Sequence, residues 1–145
     1  MRDLHSNIAF VNVLSPNGLL AADVTSAALD LAGFNSAEFA LTIGVGGITF
    51  DATNKVEFKL TECDTAGGTF TAVAADDVLG ATVAAGGIVK SLVSAHATLE
   101  VFKFGYRGYK RFLKLTADFS GTHGTGTAIS CVLVKGNPNV APVAA

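Results

Sequence analysis

The sequence predicts an all-β fold, a single-domain β-sandwich. Three observations support this prediction. Apolar and polar residues alternate with a period of two in several segments, helical periodicity is scarce, and turns rich in Gly, Asn and Ser separate the segments at short intervals. At 145 residues the chain is long enough for one domain with its own core and short for two. We therefore interpret residues 1–145 as one domain.

The alternation locates the strands. In Lys55–Cys63 the apolar side chains point to one side and the Lys, Glu and Thr side chains to the other, which is typical of a strand with one face in solvent. Residues 38–43 and 111–119 repeat this pattern. Residues 127–135 are apolar on both sides, as expected of a strand that is buried on both faces or lies in a subunit contact. The other predicted strands are 8–14, 27–31, 69–74 and 98–105.

The remaining segments complete the prediction. The only helical candidate is a short turn at 75–79, capped by Asp76. Eight or nine short strands with turn signals between them indicate a jelly roll. Residues 1–7 and 136–145 lack periodicity, and the second segment contains two prolines. We expect both to be extended arms that reach a neighbouring subunit or another surface.

The composition favours an oligomer. Hydrophobic residues make up 50% of the chain and charged residues only 15%, against about 25% charged in an average soluble domain. A permanent subunit interface would bury the excess apolar surface, although an Ala-rich monomer remains the alternative. No stretch gives 18 clean apolar residues and the N-terminus lacks a secretory signal, so we expect no membrane partner. The cysteines, Cys63 and Cys131, are expected to be free thiols, which fits assembly in a reducing cytoplasm.

No set of residues predicts catalysis. His5, His96 and His123 have no second ligand at the spacing of a known metal motif. Cys131 with a histidine could form a nucleophile and its base, but a cysteine in an apolar strand is more often inert core. The glycine runs at 44–47 and 121–126 do not match phosphate-binding motifs and are better explained as long hairpin loops. We therefore expect a non-enzyme with no cofactor, metal or small-molecule substrate.

One segment stands out as a candidate contact. Residues 102–114 read FKFGYRGYKRFLK and hold five of the ten Lys and Arg residues, which predicts a basic hairpin on a chain of net charge −2. The interleaved aromatic and basic side chains suit a protein contact, a solvated outer face, or a nucleic-acid or glycan site. The acidic remainder of the chain argues against nucleic acid. The candidate interaction residues are Lys103, Tyr106, Arg107, Tyr109, Lys110 and Arg111.

The order of several segments is similar to that of a known family. These are DLHSNI at 3–8, DLAGFNSAEF at 30–39, GYRGYKRFLKL at 105–115, GNP at 136–138 and APV at 141–143. Together they resemble small auxiliary head proteins of tailed bacteriophages, prophages and gene-transfer agents. The resemblance covers nearly the whole chain in segment order, and the Gly-Tyr-x-Gly-x-Lys-Arg motif is its distinctive element.

The resemblance implies a structural protein of the virion. Such a protein is made in the host bacterial cytoplasm and binds the outside of the head as a decoration or cement protein. The implied partners are the major capsid protein and further copies of this chain, as a homotrimer or, less favoured, a homopentamer. Two alternatives remain open, the base of a vertex head spike and a receptor- or glycan-binding module of a spike or tail. The resemblance implies no catalytic residues.

Overall fold

The alternating segments form two antiparallel β-sheets whose inner faces share one hydrophobic core. The structure is a computed structural model that describes residues 3–143. In chain order the strands are β1 (Ile8–Leu14), β2 (Leu19–Leu20), β3 (Val24–Thr25), β4 (Leu29–Asp30), β5 (Phe34–Ile43), β6 (Lys55–Cys63), β7 (Thr71–Ala72), β8 (Val78–Leu79), β9 (Ile88–Leu92), β10 (Glu100–Tyr106), β11 (Phe112–Ser120) and β12 (Thr127–Pro138). Short 3₁₀ turns cover His5–Asn7 and Ala75–Asp77.

The strand pairing is that of a jelly roll. The first sheet has the order β1-β12-β5-β10-β8, with β2 also paired to β12. In the second sheet β11 and β6 are central, with β3 and β4 beside β11 and with β7 and β9 beside β6. Pairs are therefore nested along the chain: β1 with β12, β3 and β4 with β11, β5 with β10, and β6 with β9. This nesting confirms the predicted sandwich and its jelly-roll character.

The core lies between the two sheets. Phe39 of β5 and Phe104 of β10 stack at its centre with ring centroids 4.8 Å apart, and both are fully buried. The second sheet contributes alternate side chains, and Phe58 on β6 and Leu115 on β11 are also fully buried. The period-two pattern thus marks the inner faces of β5, β6 and β11 correctly. Burial of these side chains supplies most of the stabilisation, at about 1.5–3 kcal/mol for each large one.

Some predicted elements differ from those observed. The segments at 27–31 and 69–74 contribute only the two-residue strands β4 and β7. Strand β9 is absent from the prediction, because two glycines precede it, Lys90 interrupts its short apolar run, and its pairing with β6 contains a bulge. The predicted helical turn is present as Ala75–Asp77, but Asp76 lies inside it and caps nothing, since the N-cap is Ala74 without a side-chain hydrogen bond.

The predicted loops at 44–47 and 121–126 are not hairpins. The first joins β5 to β6 and the second joins β11 to β12, and each crosses from one sheet to the other. The two loops contact each other, because the Gly47 amide donates to Thr127 Oγ1 at 3.1 Å. Their glycines therefore serve a close approach between connections of the two sheets rather than a turn between paired strands.

The C-terminal arm begins later than predicted. Gly136 and Pro138 belong to β12, opposite Ser36 and Phe34 of β5, because the main-chain pairing continues past the loss of sequence periodicity. Residues 139–143 then leave the sheet, and the Val143 amide donates to the Ser6 carbonyl at 3.0 Å. The described parts of the two arms therefore lie together on their own subunit. Residues 1, 2, 144 and 145 of the predicted arms lie outside the described residues.

Candidate interaction surface

The basic segment, residues 102–114, is a crossover between the sheets and not a hairpin. β10 pairs with β5 and β8 in the first sheet, whereas β11 pairs with β6, β3 and β4 in the second. The prediction of a hairpin is therefore wrong. The two flanking strands alternate like a hairpin in sequence, but each finds its partner elsewhere because both must bury an inner face against the other sheet.

Tyr106 anchors this crossover from inside. Its side chain is buried, with 5% of the residue exposed. The hydroxyl donates to Glu62 Oε2 at 2.6 Å and accepts from the Lys110 amide at 3.0 Å. Burial, together with the hydrogen bond to Glu62, raises the pKa of Tyr106 above its ordinary value. The ring leaves no room for a side chain at Gly108, because a Cβ there would overlap it. The structure therefore places Tyr106 in the core rather than on an exposed surface.

The neighbouring cations of the segment are engaged within the subunit. Arg107 Nε donates to the Asp76 carbonyl at 2.6 Å. Lys110 Nζ lies 2.7 Å from Asp64 Oδ2, and Arg111 binds Asp30 through Nε at 2.8 Å and a terminal nitrogen at 2.7 Å. The Arg111 guanidinium, with the Ala32 amide, lowers the pKa of Asp30 to about 2. Two of the five positive charges are thus neutralised locally by acids distant in sequence.

Two of the six candidate residues remain outward. Tyr109 is 99% exposed at the tip of the crossover. Lys103 is exposed on β10, and within residues 3–143 it forms no ion pair. The predicted set therefore contains one buried anchor, three residues bound to their own subunit, of which Arg107 and Arg111 are still exposed, and two exposed residues without an ion pair in the described part of the chain. Whether the exposed pair contacts a partner stays a prediction.

Several exposed apolar side chains lie on the outer face of the first sheet. We define the apolar face as the outward side chains of Phe10, Ala40, Val101, Val132 and Val134. The strand register places Glu38 and Lys103 on the same side of the sheet among them. Phe10 is 68% exposed and Val101 63% exposed. The segment at 127–135 explains this face, since β12 is apolar on both sides and its outer side is uncovered in the single subunit. Several exposed apolar side chains gathered on one sheet face are typical of a contact site.

The outer face of the second sheet has the opposite character. Lys55, Glu57, Lys59 and Asp118 project from β6 and β11, with Lys55 Nζ 2.7 Å from Glu57 Oε1. Lys59 forms an ion pair with Asp118, which raises the pKa of the lysine. These charges are satisfied in pairs and hydrated. One side of the sandwich is therefore suited to solvent and the other to a partner.

A groove borders the apolar face beside the crossover. It has a volume of about 950 Å³ and is open to solvent. Ser36, Gly105 and Gly136 line its floor, and residues 107–111 form one wall. A Cβ at Gly105 would lie 2.7 Å from Glu38 Oε2, and one at Gly136 would lie 2.8 Å from Ser36 Oγ. Because neither glycine has a side chain, the groove stays open at these two positions. No sequence signal indicates this groove, because its parts come from segments distant along the chain.

The histidines and cysteines do not assemble a reactive centre in the described part of the chain. His123 is buried between Phe119 and Phe50, and its Nε2 lies 2.8 Å from the Ser120 carbonyl. Both cysteines are free, and burial raises the pKa of the Cys131 thiol to about 12. Among residues 3–143 no group of three or more His, Cys, Asp and Glu side chains could hold a metal ion. The same residues contain no helix long and apolar enough to cross a membrane.

The fold and these surfaces define an all-β jelly-roll sandwich with one apolar and one charged outer face. No protein-family model matches the chain, and no curated protein matches it.

The Tyr106 hydroxyl is expected to matter for stability and the Tyr109 hydroxyl is not. Tyr106→Phe removes the bonds to Glu62 and to the Lys110 amide, which should lower the free energy of unfolding by about 1–2 kcal/mol. Tyr109→Phe, the matched control, should change it by less than about 0.5 kcal/mol because Tyr109 is fully exposed. Urea unfolding measures both. Equal effects of the two substitutions would contradict the anchoring role.

The Asp30–Arg111 pair is expected to give a pH-dependent contribution to stability. The folded-state pKa of Asp30 is about 2, below the ordinary value of about 3.9. The stabilisation is therefore present above pH 4 and is lost as the pH falls through 2. Arg111→Gln should lower the unfolding free energy slightly at pH 6, since the pair is largely exposed and screened by water, and the difference should shrink toward pH 2.

Arg107→Gln is the control for this titration. The Arg107 guanidinium donates to the Asp76 carbonyl, which does not titrate. The effect of Arg107→Gln on the unfolding free energy should therefore vary little between pH 6 and pH 2. Chemical denaturation at several pH values compares the two variants. A difference for Arg111→Gln that stays constant across this range would show that the ion pair does not produce the shift.

Proposed function

We propose that the protein is a structural subunit of a virion that binds the outside of a bacteriophage head as a decoration or cement protein. In this proposal it acts as a homo-oligomer, with a trimer favoured over a pentamer, and its second partner is the major capsid protein. The apolar face is the surface that contacts the shell. The segment resemblance described above supports the class of particle, and the exposed apolar side chains of the first sheet support the choice of surface.

The observation that carries the proposal is the contrast between the two outer faces. A free monomer gains nothing from exposing Phe10, Val101 and Val132 on one sheet face, because water around exposed apolar side chains is unfavourable. A subunit that lies flat on a larger assembly needs one apolar face toward that assembly and one hydrated face away from it. The ion pairs of Lys55 and Lys59 on the second sheet suit the hydrated side.

The thermodynamics of such a role are simple. A protein that binds the assembled shell and not the dispersed capsid subunits stabilises the shell by mass action. Each copy needs only a modest contact, because the copies of one oligomer bind together and their contacts add as avidity. A jelly roll that presents a flat sheet face, without a deep enclosed site, provides a contact of this size.

A receptor- or glycan-binding module of a spike or tail is the second candidate. Tyr109 favours it, since a 99% exposed aromatic ring beside an open groove resembles the stacking platforms that bind sugars. Binding of the purified protein to a glycan array, lost in Tyr109→Ala, would support this candidate over the first. The base of a vertex spike differs from a decoration protein only in the capsid axis it occupies.

Val101→Lys is expected to prevent binding to capsids while the subunit stays folded. The substitution places a charge in the apolar face at a residue that is already 63% exposed, so the core is untouched. Ser91→Lys is the matched control, because Ser91 is exposed on β9 of the other sheet. Cosedimentation with heads lacking the protein measures binding, and light scattering with size exclusion measures the oligomer, expected at a multiple of three chains.

The two variants separate the proposal from its rivals. Binding by wild type and Ser91→Lys but not by Val101→Lys supports attachment through the apolar face. Equal binding by both variants would overturn the assignment of that face, and absence of binding by wild-type protein would overturn the decoration role itself.

A further inference from the structure

The edges of the two sheets are protected unequally. In the second sheet β3, β4 and β7 have two residues each, and β9 carries Lys90 and pairs with β6 through a bulge. In the first sheet β8 covers only Gly105 and Tyr106 of β10, and the uncovered part of the β10 edge carries the charges of Glu100 and Lys103. Short strands, lysines and bulges are the features by which proteins prevent unwanted pairing at a sheet edge. Within residues 3–143 the edge strand β1 is the exception.

β1 is long, uncharged and unpaired on one side. It covers Ile8–Leu14 with the sequence IAFVNVL, and in the described part of the chain it pairs with β12 alone. It contains no proline, no lysine and no acid. Phe10 at its centre is 68% exposed. Main-chain N–H and C=O groups along such an edge are available for a further strand, and the apolar side chains favour covering it.

We propose that β1 pairs with β1 of a second copy, antiparallel about a two-fold axis at Phe10. The regular part of β1 runs from Ile8 to Asn12, since a bulge lies between Asn12 and Leu14. An antiparallel overlap that uses this whole run places Phe10 opposite Phe10 of the second copy and Ile8 opposite Asn12. It also keeps outward residues opposite outward residues, as a continuous sheet requires. Facing aromatic residues on one sheet face stabilise such a pair.

The charge distribution favours the second copy over a different partner. A two-fold axis brings identical residues together, so a charged residue near the axis would repel its own copy. β1 has none. On β12, Lys135 lies opposite Ala9, but its Nζ is held 3.2 Å from the Asp30 carbonyl and 4.5 Å from the centre of the Phe34 ring. The neutral edge is therefore complementary to itself.

This contact goes beyond the proposed function, because a two-fold contact cannot close a ring of three or five copies. It would join neighbouring oligomers, and the first sheets of two subunits would become one continuous sheet. Only the biological role of that connection rests on the proposed function, and the pairing itself holds in solution whatever the apolar face binds.

A cysteine at the axis tests the pairing. In a background of Cys63→Ser, which removes the half-buried thiol, Phe10→Cys should form a covalent dimer on mild oxidation. Facing residues of an antiparallel pair have Cα atoms about 4.5–5.5 Å apart, within disulfide range. Asn12→Cys on the same strand should stay monomeric on a non-reducing gel, since its opposite residue is Ile8. Val101→Cys, exposed at the other end of the sheet, should stay monomeric too.

A second measurement tests the contribution of the Phe10 side chain in protein that keeps both native cysteines. Phe10→Lys in the otherwise unchanged protein places two like charges at the axis and should lower the mass measured by light scattering to that of the oligomer without edge pairing. Circular dichroism confirms that each variant is folded. Absence of the Phe10→Cys dimer in folded protein, or equal dimer yields from Asn12→Cys, would overturn the proposal. Capsid binding of Val101→Lys is measured separately, so a failure of either proposal can be recognised independently of the other.

Discussion

The structure depends on the burial of two sheet faces against each other, a condition that neither sheet meets alone. The connections from β5 to β6, from β9 to β10, from β10 to β11 and from β11 to β12 all cross between the sheets. Strands joined by these connections therefore lie in different sheets, and displacing one of them disturbs both sheets. The stacked rings of Phe39 and Phe104 lie where this constraint is tightest, since their strands β5 and β10 are paired and both inner faces are fully buried there. Cooperative folding of the whole sandwich follows from this topology.

The same topology explains why the basic cluster in sequence is partly neutralised in the structure. Residues 107–111 cross from one sheet to the other and therefore pass close to loops of both. Asp64 follows β6 and Asp30 ends β4, so each acid is delivered to its cation by strands of the second sheet. The buried Tyr106, through its hydrogen bond to Glu62, holds the crossover in the position at which these ion pairs form. These ion pairs consequently bind the crossover to the second sheet. Several exposed apolar side chains of the molecule lie on the outer face of the first sheet.

The sequence predicts correctly which side of a strand is buried, because that depends on the strand alone. It does not predict which strands pair, because that depends on the whole sheet. The period-two pattern of Lys55–Cys63 predicted its buried side without knowledge of any partner. The same pattern on both sides of Gly105 and Gly108 suggested a hairpin, because alternation specifies a face but not the neighbouring strand. β9 was missed for a related reason, since a strand with a bulge depends on its partner β6 more than on its own sequence. The apolar residues on both sides of β12 indicated either complete burial or a subunit contact, and only the sheet order could show that the outer side of this strand is uncovered.

The two proposals use contacts of different physical kinds, and this difference gives the molecule a defined orientation. Pairing along β1 is directional, because main-chain hydrogen bonds fix distance, register and the plane of the sheet. Contact through an apolar face is tolerant of small shifts, because burial depends on area rather than on angle. A subunit joined to its neighbours at an edge is thereby held with its apolar face on one side and the ion pairs of Lys55 and Lys59 on the other. Edge pairing would thus create an extended apolar surface whose many weak contacts add, while the charged face keeps that assembly hydrated on its free side.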